Sequence, residues 1–159
     1  MSKIRFCTEE DFDAVLILLG ELWPGRQLDV AALRGVFHRA LVSETQFYLC
    51  ADDEGAVAGF CSLTLKNNLW QAGYLAHIGE LVVDVRRRQK GIGRALLAAA
   101  IELAAGRDCA RIELDSAFHR EGAHRFYESQ GFENRAYLFS KSLRDVSPAG
   151  SQLFHPCKN

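Results

Sequence analysis

A short segment of the chain combines two glycines with three cationic side chains, a combination suited to binding an anion. Arg88, Lys90 and Arg94 lie around Gly91 and Gly93. An apolar run precedes the segment and helical periodicity follows it, so the glycines are expected at a helix N-terminus. The first N–H groups of a helix have no partner within it and carry partial positive charge, and glycine permits close approach of a ligand. The segment is therefore predicted to bind a phosphate or pyrophosphate group.

The spacing of the glycines excludes two common phosphate-binding motifs. The chain contains no GxxxxGK[ST] run, and Leu96 stands where the dinucleotide fingerprint requires its third glycine. The pattern that fits is R-x-x-G-x-G, from Arg88 to Gly93, directly after the strand-like residues 81–83. It resembles the acetyl-CoA-binding motif of the GCN5-related N-acetyltransferase (GNAT) superfamily. The alternative for the motif by itself is a tight turn with a solvated basic face.

The elements that position this segment follow from apolar periodicity and turn residues, which predict a mixed α/β chain with one sheet. Strands are predicted at 3–7, 46–51, 56–66, 74–85 and 110–114, and as a hairpin-like pair within 132–143. Helices are predicted from the N-cap Thr8 to the break at Pro24, at 28–41, from the glycine turn to Gly106, and at 121–130.

A second motif extends the resemblance. Ala123, Tyr127, Gly131 and Phe132 form the pattern A-x-x-x-Y-x-x-x-G-F, which in the GNAT superfamily marks the helix beside the thiol of coenzyme A. Together with the element order, the likeness extends over about residues 4–143. It implies the GNAT fold, a mostly antiparallel sheet splayed between two strands with flanking helices. It also implies an acetyl-CoA-dependent N-acetyltransferase (acyltransferase) that acts on a primary amine by direct attack in a ternary complex.

The resemblance also implies where acetyl-CoA binds: the backbone of one strand, the glycine turn and the start of the following helix. The residues implied are Leu81, Val82, Val83, Arg88, Gln89, Lys90, Gly91, Ile92, Gly93, Arg94 and Ala95. In the family this strand separates from its neighbour and leaves backbone amides that polarise the thioester. Fixed donors of this kind contribute roughly 3–4 kcal/mol each.

Two side chains are the candidate catalytic groups. Because an alkylamine is protonated at neutral pH, a base must take its proton, and Glu80 in an otherwise apolar strand is the candidate. The alternative is that Glu80 faces solvent or pairs with the arginines at 86–88. His77 is a second candidate base, which strict alternation places on the opposite face unless a bulge intervenes. Tyr127 matches the tyrosine that serves the family as general acid; the alternative is a core aromatic.

The substrate is predicted to be a small primary amine. Residues 77–83, 123–127 and 139–143 are similar to bacterial aminoalkylphosphonate N-acetyltransferases, some of which use a divalent metal, but the sequence assigns no metal ligands. Cationic residues near the second motif could recognise an acidic group of the substrate or could be solvated charges: His119, Arg120, His124, Arg125 and Arg135. Four aromatic residues could line a substrate pocket or could belong to the core: Trp23, Phe37, Trp70 and Tyr74. A protein or peptide acetyltransferase and a non-catalytic acyl-CoA sensor remain alternatives.

Length and composition bear on the partners, the compartment and the number of domains. The chain has 159 residues, 48% hydrophobic, and a net charge of −1, so there is no electrostatic reason to expect a nucleic-acid or membrane partner. Without a signal-like segment and with five cysteines in no CxxC pair, reduced thiols in a cytoplasmic protein are expected. We expect one domain at 1–145 and a tail at 146–159, and the resemblance suggests a homodimer.

Overall fold

Within the residues that the structure describes, five strands form one sheet in the order β1-β2-β3-β4-β5. The structure is a computed structural model that describes residues 2–145. Neighbouring strands pair antiparallel except β4 and β5, which pair parallel. The strands are β1 Lys3–Phe6, β2 Gln46–Asp53, β3 Ala56–Asn68, β4 Gly73–Val83 and β5 Ile112–Leu114.

In the described range 2–145, four α-helices connect or follow these strands. They are α1 Phe12–Leu22, α2 Val30–Leu41, α3 Ile92–Gly106 and α4 Glu121–Ser129, and short 3-10 turns lie at Glu9–Asp11 and Val85–Arg87. Among the described residues, no helix has the length and apolar character needed to span a membrane.

The two faces of the sheet carry different helices, because successive side chains of a strand point to opposite sides. On β3, Phe60 belongs to the apolar cluster that contains Phe12 of α1 and Phe37 of α2. Its neighbour Gly59 lies against α3, where an added Cβ would meet Leu96 at 2.9 Å. The sheet therefore separates the α1–α2 layer from α3.

Most predicted elements are present with ends shifted by a few residues. Thr8 begins the first helical segment as expected, and its backbone N–H donates to the Asp11 carboxylate at 2.7 Å. The predicted pair of strands within 132–143 is wrong, since the structure assigns no strand to these residues. Tyr137, Leu138 and Phe139 are consecutive apolar residues, and all three are exposed, so the segment buries none of them against a sheet.

The chain divides into two compact units, Met1–Asp115 and Ser116–Asn159. The first contains the whole sheet with α1, α2 and α3, and the second contains α4. The expected tail at 146–159 lies outside the described residues, and the single domain at 1–145 stays a prediction.

Candidate active site

The strand β4 contains a bulge beside the candidate base. Cys61 of β3 pairs with Leu81, whereas Leu63 pairs with Ile78, so the two residues Gly79 and Glu80 lie opposite one residue of β3. A bulge of this kind resets the alternation of the strand. It places Glu80 on the same face of the sheet as His77, where strict alternation predicted opposite faces.

Glu80 is held by Ser62, the single residue of β3 opposite the bulge. Its backbone N–H donates to Ser62 Oγ at 2.9 Å, and the Ser62 hydroxyl donates to Glu80 Oε2. Ser62 is only 5% exposed. The alternative in which Glu80 pairs with the arginines at 86–88 is therefore wrong, because those side chains bind other groups.

Glu80 lines a small cavity of about 70 Å³ between the sheet and the first two helices. The other lining residues are apolar or aromatic: Phe12, Val15, Leu19, Trp23, Leu33, Val36, Phe37, Tyr48 and Phe60. Burial raises the pKa of the Tyr48 phenol, and the nearby Glu80 carboxylate raises it further. Glu80 is therefore the one acidic side chain among the residues that line this cavity, an arrangement suited to a cationic amine.

His77, the second candidate base, lies on the same strand face but has a partner of its own. Its Nε2 is 3.1 Å from Asp115 Oδ2, directly after β5. His77 does not belong to the residues that line the cavity. The geometry therefore favours Glu80 as the group that meets a substrate amine.

The backbone of β4 next to Glu80 is open on one side. The pairing of β4 with β5 ends at Ile78, whose partner is Leu114. In the part of the chain that the structure describes, no strand pairs with residues 79–83 on that side, whereas β3 pairs with them on the other. Within this segment Val82 is buried in the apolar cluster of the α1–α2 layer. Backbone groups on this side are thus not used by a neighbouring strand, although Val83 O accepts a hydrogen bond from Arg88 Nε at 3.0 Å.

The turn after β4 leads directly into α3. Gly91 is the N-cap of α3 with a φ of 81°, and Gln89 is also left-handed at 62°. An added Cβ at Gly91 would meet no atom within 4 Å, so the space beside the helix terminus is open. Ile92 is buried, which fixes the start of the helix against the sheet, and Lys90 and Arg94 are exposed. This arrangement has the open N–H groups and positive charge that an anion requires.

The second motif forms a small aromatic cluster in the unit that begins at Ser116. The ring of Tyr127 lies 5.4 Å from that of Phe126 and 5.9 Å from that of Phe132. Gly131 has a φ of 85° and ends α4 as expected, since its N–H donates to Glu128 O at 3.0 Å. The glycine and the phenylalanine of the motif thus support the conformation of the segment that carries Tyr127.

Several suggested substrate residues have local partners instead. His124 Nε2 lies 3.0 Å from Ala117 O, and Arg125 lies 4.0 Å from Glu121 on the same helix. Of the aromatic candidates, Trp23 and Phe37 line the cavity. Trp70 is 91% exposed and Tyr74 39%, and neither residue lines this cavity.

Sequence patterns missed Ser62 and Gly79, although one signal was available. A glycine within an apolar strand is typical of a bulge or of a close approach by another group. An added Cβ at Gly79 would lie 2.9 Å from Ser62 Oγ. Nothing in the sequence indicated that Ser62 is the partner of Glu80, because the hydrogen bond joins residues 18 positions apart across the sheet.

Comparison with known proteins agrees with this geometry. The model of the acetyltransferase (GNAT) family matches residues 12–132. The chain belongs to this family. It is 36% identical over 141 residues to aminoalkylphosphonate N-acetyltransferase of Salmonella typhimurium, covering 89% of this chain and 91% of that protein. The match confirms the predicted GNAT membership, fold and acyltransferase class.

One further relative and one solved structure extend the comparison. Glucosamine 6-phosphate N-acetyltransferase of Trypanosoma brucei brucei is 30% identical over 134 residues, covering 82% of this chain and 88% of that protein. The crystal structure of a transcriptional regulator from Bacillus halodurans superimposes with a TM-score of 0.82 at 27% identity, covering 89% of this chain and 99% of that one. The fold is thus shared by proteins with different names.

Proposed function

We propose that this GNAT protein transfers an acetyl group from acetyl-CoA to the primary amine of a small molecule. The observation that carries the proposal is the Glu80 carboxylate, which lines an aromatic cavity directly beside the open backbone of β4. A base and a row of backbone donors on adjacent residues are what attack by an amine on a thioester requires.

The described residues fit acetyl-CoA at the end of β4 and the start of α3. Gly91 leaves the N-terminus of α3 open, and the exposed Lys90 and Arg94 add positive charge for a pyrophosphate. Leu81, Val82 and Val83 would contribute backbone groups to the pantetheine arm. The remaining turn residues of the proposed site are Arg88, Gln89, Ile92, Gly93 and Ala95. Acetyl-CoA supplies an activated thioester carbonyl when bound.

Glu80 accepts the proton that the amine must lose before it attacks. The amine nitrogen then bonds to the acetyl carbon while the carbon–sulfur bond breaks. Tyr127 donates a proton to the departing sulfur, and the second proton that the nitrogen loses restores the phenol. No cysteine is needed as a carrier in this direct transfer. Burial raises the pKa of the Cys61 thiol to about 12, and burial also raises that of Cys109, so both remain protonated and poorly nucleophilic at neutral pH.

Aminoalkylphosphonates are the first substrates to test, because a relative is named for them and the match covers 91% of that relative's length. The assay follows release of the coenzyme A thiol from acetyl-CoA. The panel adds glucosamine 6-phosphate, polyamines, aminoglycosides, amino acids and short peptides, each with and without a divalent metal. Turnover of one small-amine class supports the proposal. Preference for peptides would indicate a protein acetyltransferase, and acetyl-CoA binding without turnover of any amine would indicate a sensor.

The role of Glu80 is tested with Glu80→Gln, which keeps the size of the side chain and removes the base. We expect kcat/KM for the amine to fall by about 10²- to 10⁴-fold, with the dissociation constant of acetyl-CoA unchanged in calorimetric titration. Glu102→Gln, at an exposed position of α3, is the matched control and should retain full activity. Full activity of Glu80→Gln would exclude Glu80 as the base.

A further inference from the structure

Ser62 is the residue of β3 that faces the bulge in β4. Its neighbours Cys61 and Leu63 pair with Leu81 and Ile78, which leaves Ser62 opposite both Gly79 and Glu80. Bulges redirect a side chain in this way, often next to an active site. The position of Ser62 therefore couples it to the orientation of Glu80.

The Ser62 hydroxyl makes two hydrogen bonds to Glu80. It accepts a hydrogen bond from Glu80 N–H at 2.9 Å and donates one to Glu80 Oε2. A hydroxyl has one donor hydrogen, so this hydrogen is directed to the carboxylate. Because Ser62 is 5% exposed, water competes little for the bond.

Gly79 makes this contact sterically possible. A Cβ added there would lie 2.9 Å from Ser62 Oγ, closer than such atoms approach in folded proteins. Gly79 at the first position of the bulge thus leaves room for the Ser62 hydroxyl, and the hydroxyl in turn fixes the Glu80 side chain.

The surroundings of Glu80 contain few other groups that could direct or neutralise it. Tyr48 of β2 and Cys61 of β3 interact electrostatically with the carboxylate, and burial keeps both neutral near pH 7. The positive charge of Arg39 on α2 lowers the pKa of Tyr48 slightly against these larger effects. His77, on the same face of β4, pairs with Asp115. The residues that α1 and α2 contribute to the cavity are apolar or aromatic.

We propose that Ser62 is a positioning residue, which directs the Glu80 carboxylate into the amine cavity and stabilises its ionised form. The inference rests on the proposed role of Glu80 as the base. Ser62 itself touches neither reactant; it acts through Glu80. Loss of a hydrogen-bond donor to a carboxylate disfavours its ionised form, so the effect on catalysis depends on pH.

The test compares Ser62→Ala, Ser62→Thr and Thr64→Ala in steady-state kinetics with acetyl-CoA and the small amine that the panel identifies. Ser62→Ala is expected to lower kcat by about 10- to 100-fold with KM for acetyl-CoA unchanged. It should also move the acidic limb of the pH–rate profile to higher pH. Ser62→Thr keeps the hydroxyl and should recover most of the activity and the original profile. Thr64→Ala removes a nearby hydroxyl of β3 and should change neither.

A second measurement needs no substrate and covers the case in which no amine of the panel reacts. In protein labelled with ¹³C-glutamate, the Glu80 carboxyl resonance is assigned by its loss in Glu80→Gln and titrated by NMR. Its midpoint should lie at higher pH in Ser62→Ala than in the unmodified protein and in Thr64→Ala. Thermal melts establish that each variant is folded, and Gly79→Ala, which displaces the Ser62 hydroxyl, replaces Ser62→Ala if the latter fails to fold.

The outcomes separate the two proposals. If Glu80→Gln is inactive while Ser62→Ala matches Thr64→Ala in rate, profile and titration, the positioning role of Ser62 is overturned and Glu80 remains the base. If Glu80→Gln is fully active, the proposed base is wrong. A shifted NMR midpoint would then support the Ser62–Glu80 contact as a structural feature and overturn its catalytic role.

Discussion

At the level of single residues, the three arginines that follow β4 bind different groups. Arg86 pairs with Asp84 at 3.0 Å, and Arg87 pairs with Asp53 of β2 at 2.6 Å. Arg88 Nε donates to Val83 O at 3.0 Å, and its guanidinium lies 3.9 Å from Glu21 of α1. Arg86 and Arg87 thus anchor the turn, and Arg88 connects it to the end of β4. The exposed Lys90 and Arg94 are better placed to meet a pyrophosphate.

The proposed role of Tyr127 as acid is tested with Tyr127→Phe. The substitution keeps the ring contacts with Phe126 and Phe132 and removes the proton that the departing thiolate would receive. We expect kcat to fall by about 10²-fold or more, the acetyl-CoA dissociation constant to stay the same, and the basic limb of the pH–rate profile to change. Tyr137→Phe, at a residue that is 78% exposed, is the control. Equal rates for the two variants would leave Tyr127 with only a packing role.

At the level of elements, the contact between α3 and the sheet decides where the helix N-terminus lies. Gly59 of β3 allows the first turns of α3 to approach the strand, because a Cβ there would lie 2.9 Å from Leu96 Cδ1 and 3.1 Å from Ile92 Cγ2. It would also lie 3.1 Å from the backbone oxygen of Val82, which cannot move as freely as a side chain. The glycine therefore positions α3 relative to the end of β4.

Gly59→Ala is expected to lower the free energy of unfolding by about 1–3 kcal/mol through overpacking, measured by urea denaturation. It should also weaken acetyl-CoA binding, since the N-terminus of α3 must shift. Gly20→Ala provides the comparison, because a Cβ at this exposed position of α1 meets nothing within 4 Å. That variant should be as stable as the unmodified protein or more stable by up to about 1 kcal/mol. If Gly59→Ala changes neither the free energy of unfolding nor acetyl-CoA binding, α3 can repack without cost.

At the level of the whole molecule, one ion pair joins β1 to the start of the helical layer. Arg5 donates to both oxygens of Asp11, at 2.8 and 2.9 Å. Cys7 and Cys50 complete a group whose ligand atoms lie within 4.8 Å of one another around Asp11. Since the Arg5 guanidinium already neutralises this carboxylate, the arrangement favours a structural ion pair over a bound cation. A homodimer stays a prediction.

The ion pair makes stability depend on pH. Hydrogen bonds from Arg5 hold the pKa of Asp11 below its ordinary value of 3.8. A lowered folded-state pKa stabilises the protein above the ordinary value, and this contribution is lost as the pH falls through the folded-state pKa. We expect Asp11→Asn to cost about 2 kcal/mol of unfolding free energy at pH 7 and less as the pH falls below about 4.

Denaturant unfolding of both proteins from pH 7 to pH 3 measures this difference. Asp13→Asn serves as the control, because Asp13 is 83% exposed in its pair with Arg34 and should contribute less than about 1 kcal/mol. A destabilisation by Asp11→Asn that does not change with pH would show that the ionised carboxylate is not its source.

Local patterns were enough to predict the strand–turn–helix segment. The apolar residues of β4, the glycines of the turn and the helical periodicity after Gly91 lie close together in the chain, and each acts through the backbone of its own neighbourhood. The same holds for Tyr127 and Gly131, which one helix and its terminus place together. The family, the fold and the acyltransferase class followed from these two segments.

The tertiary structure decided which side chains meet. The sequence could not place Glu80 beside Ser62 or on the face of His77, because both depend on one extra residue in the pairing of β4 with β3. It also suggested strands within 132–143, since a local pattern shows that a segment can form a strand but not that a partner is present. Register and partner choice depend on contacts between distant residues, and for this reason the environment of the candidate base emerged only from the folded chain.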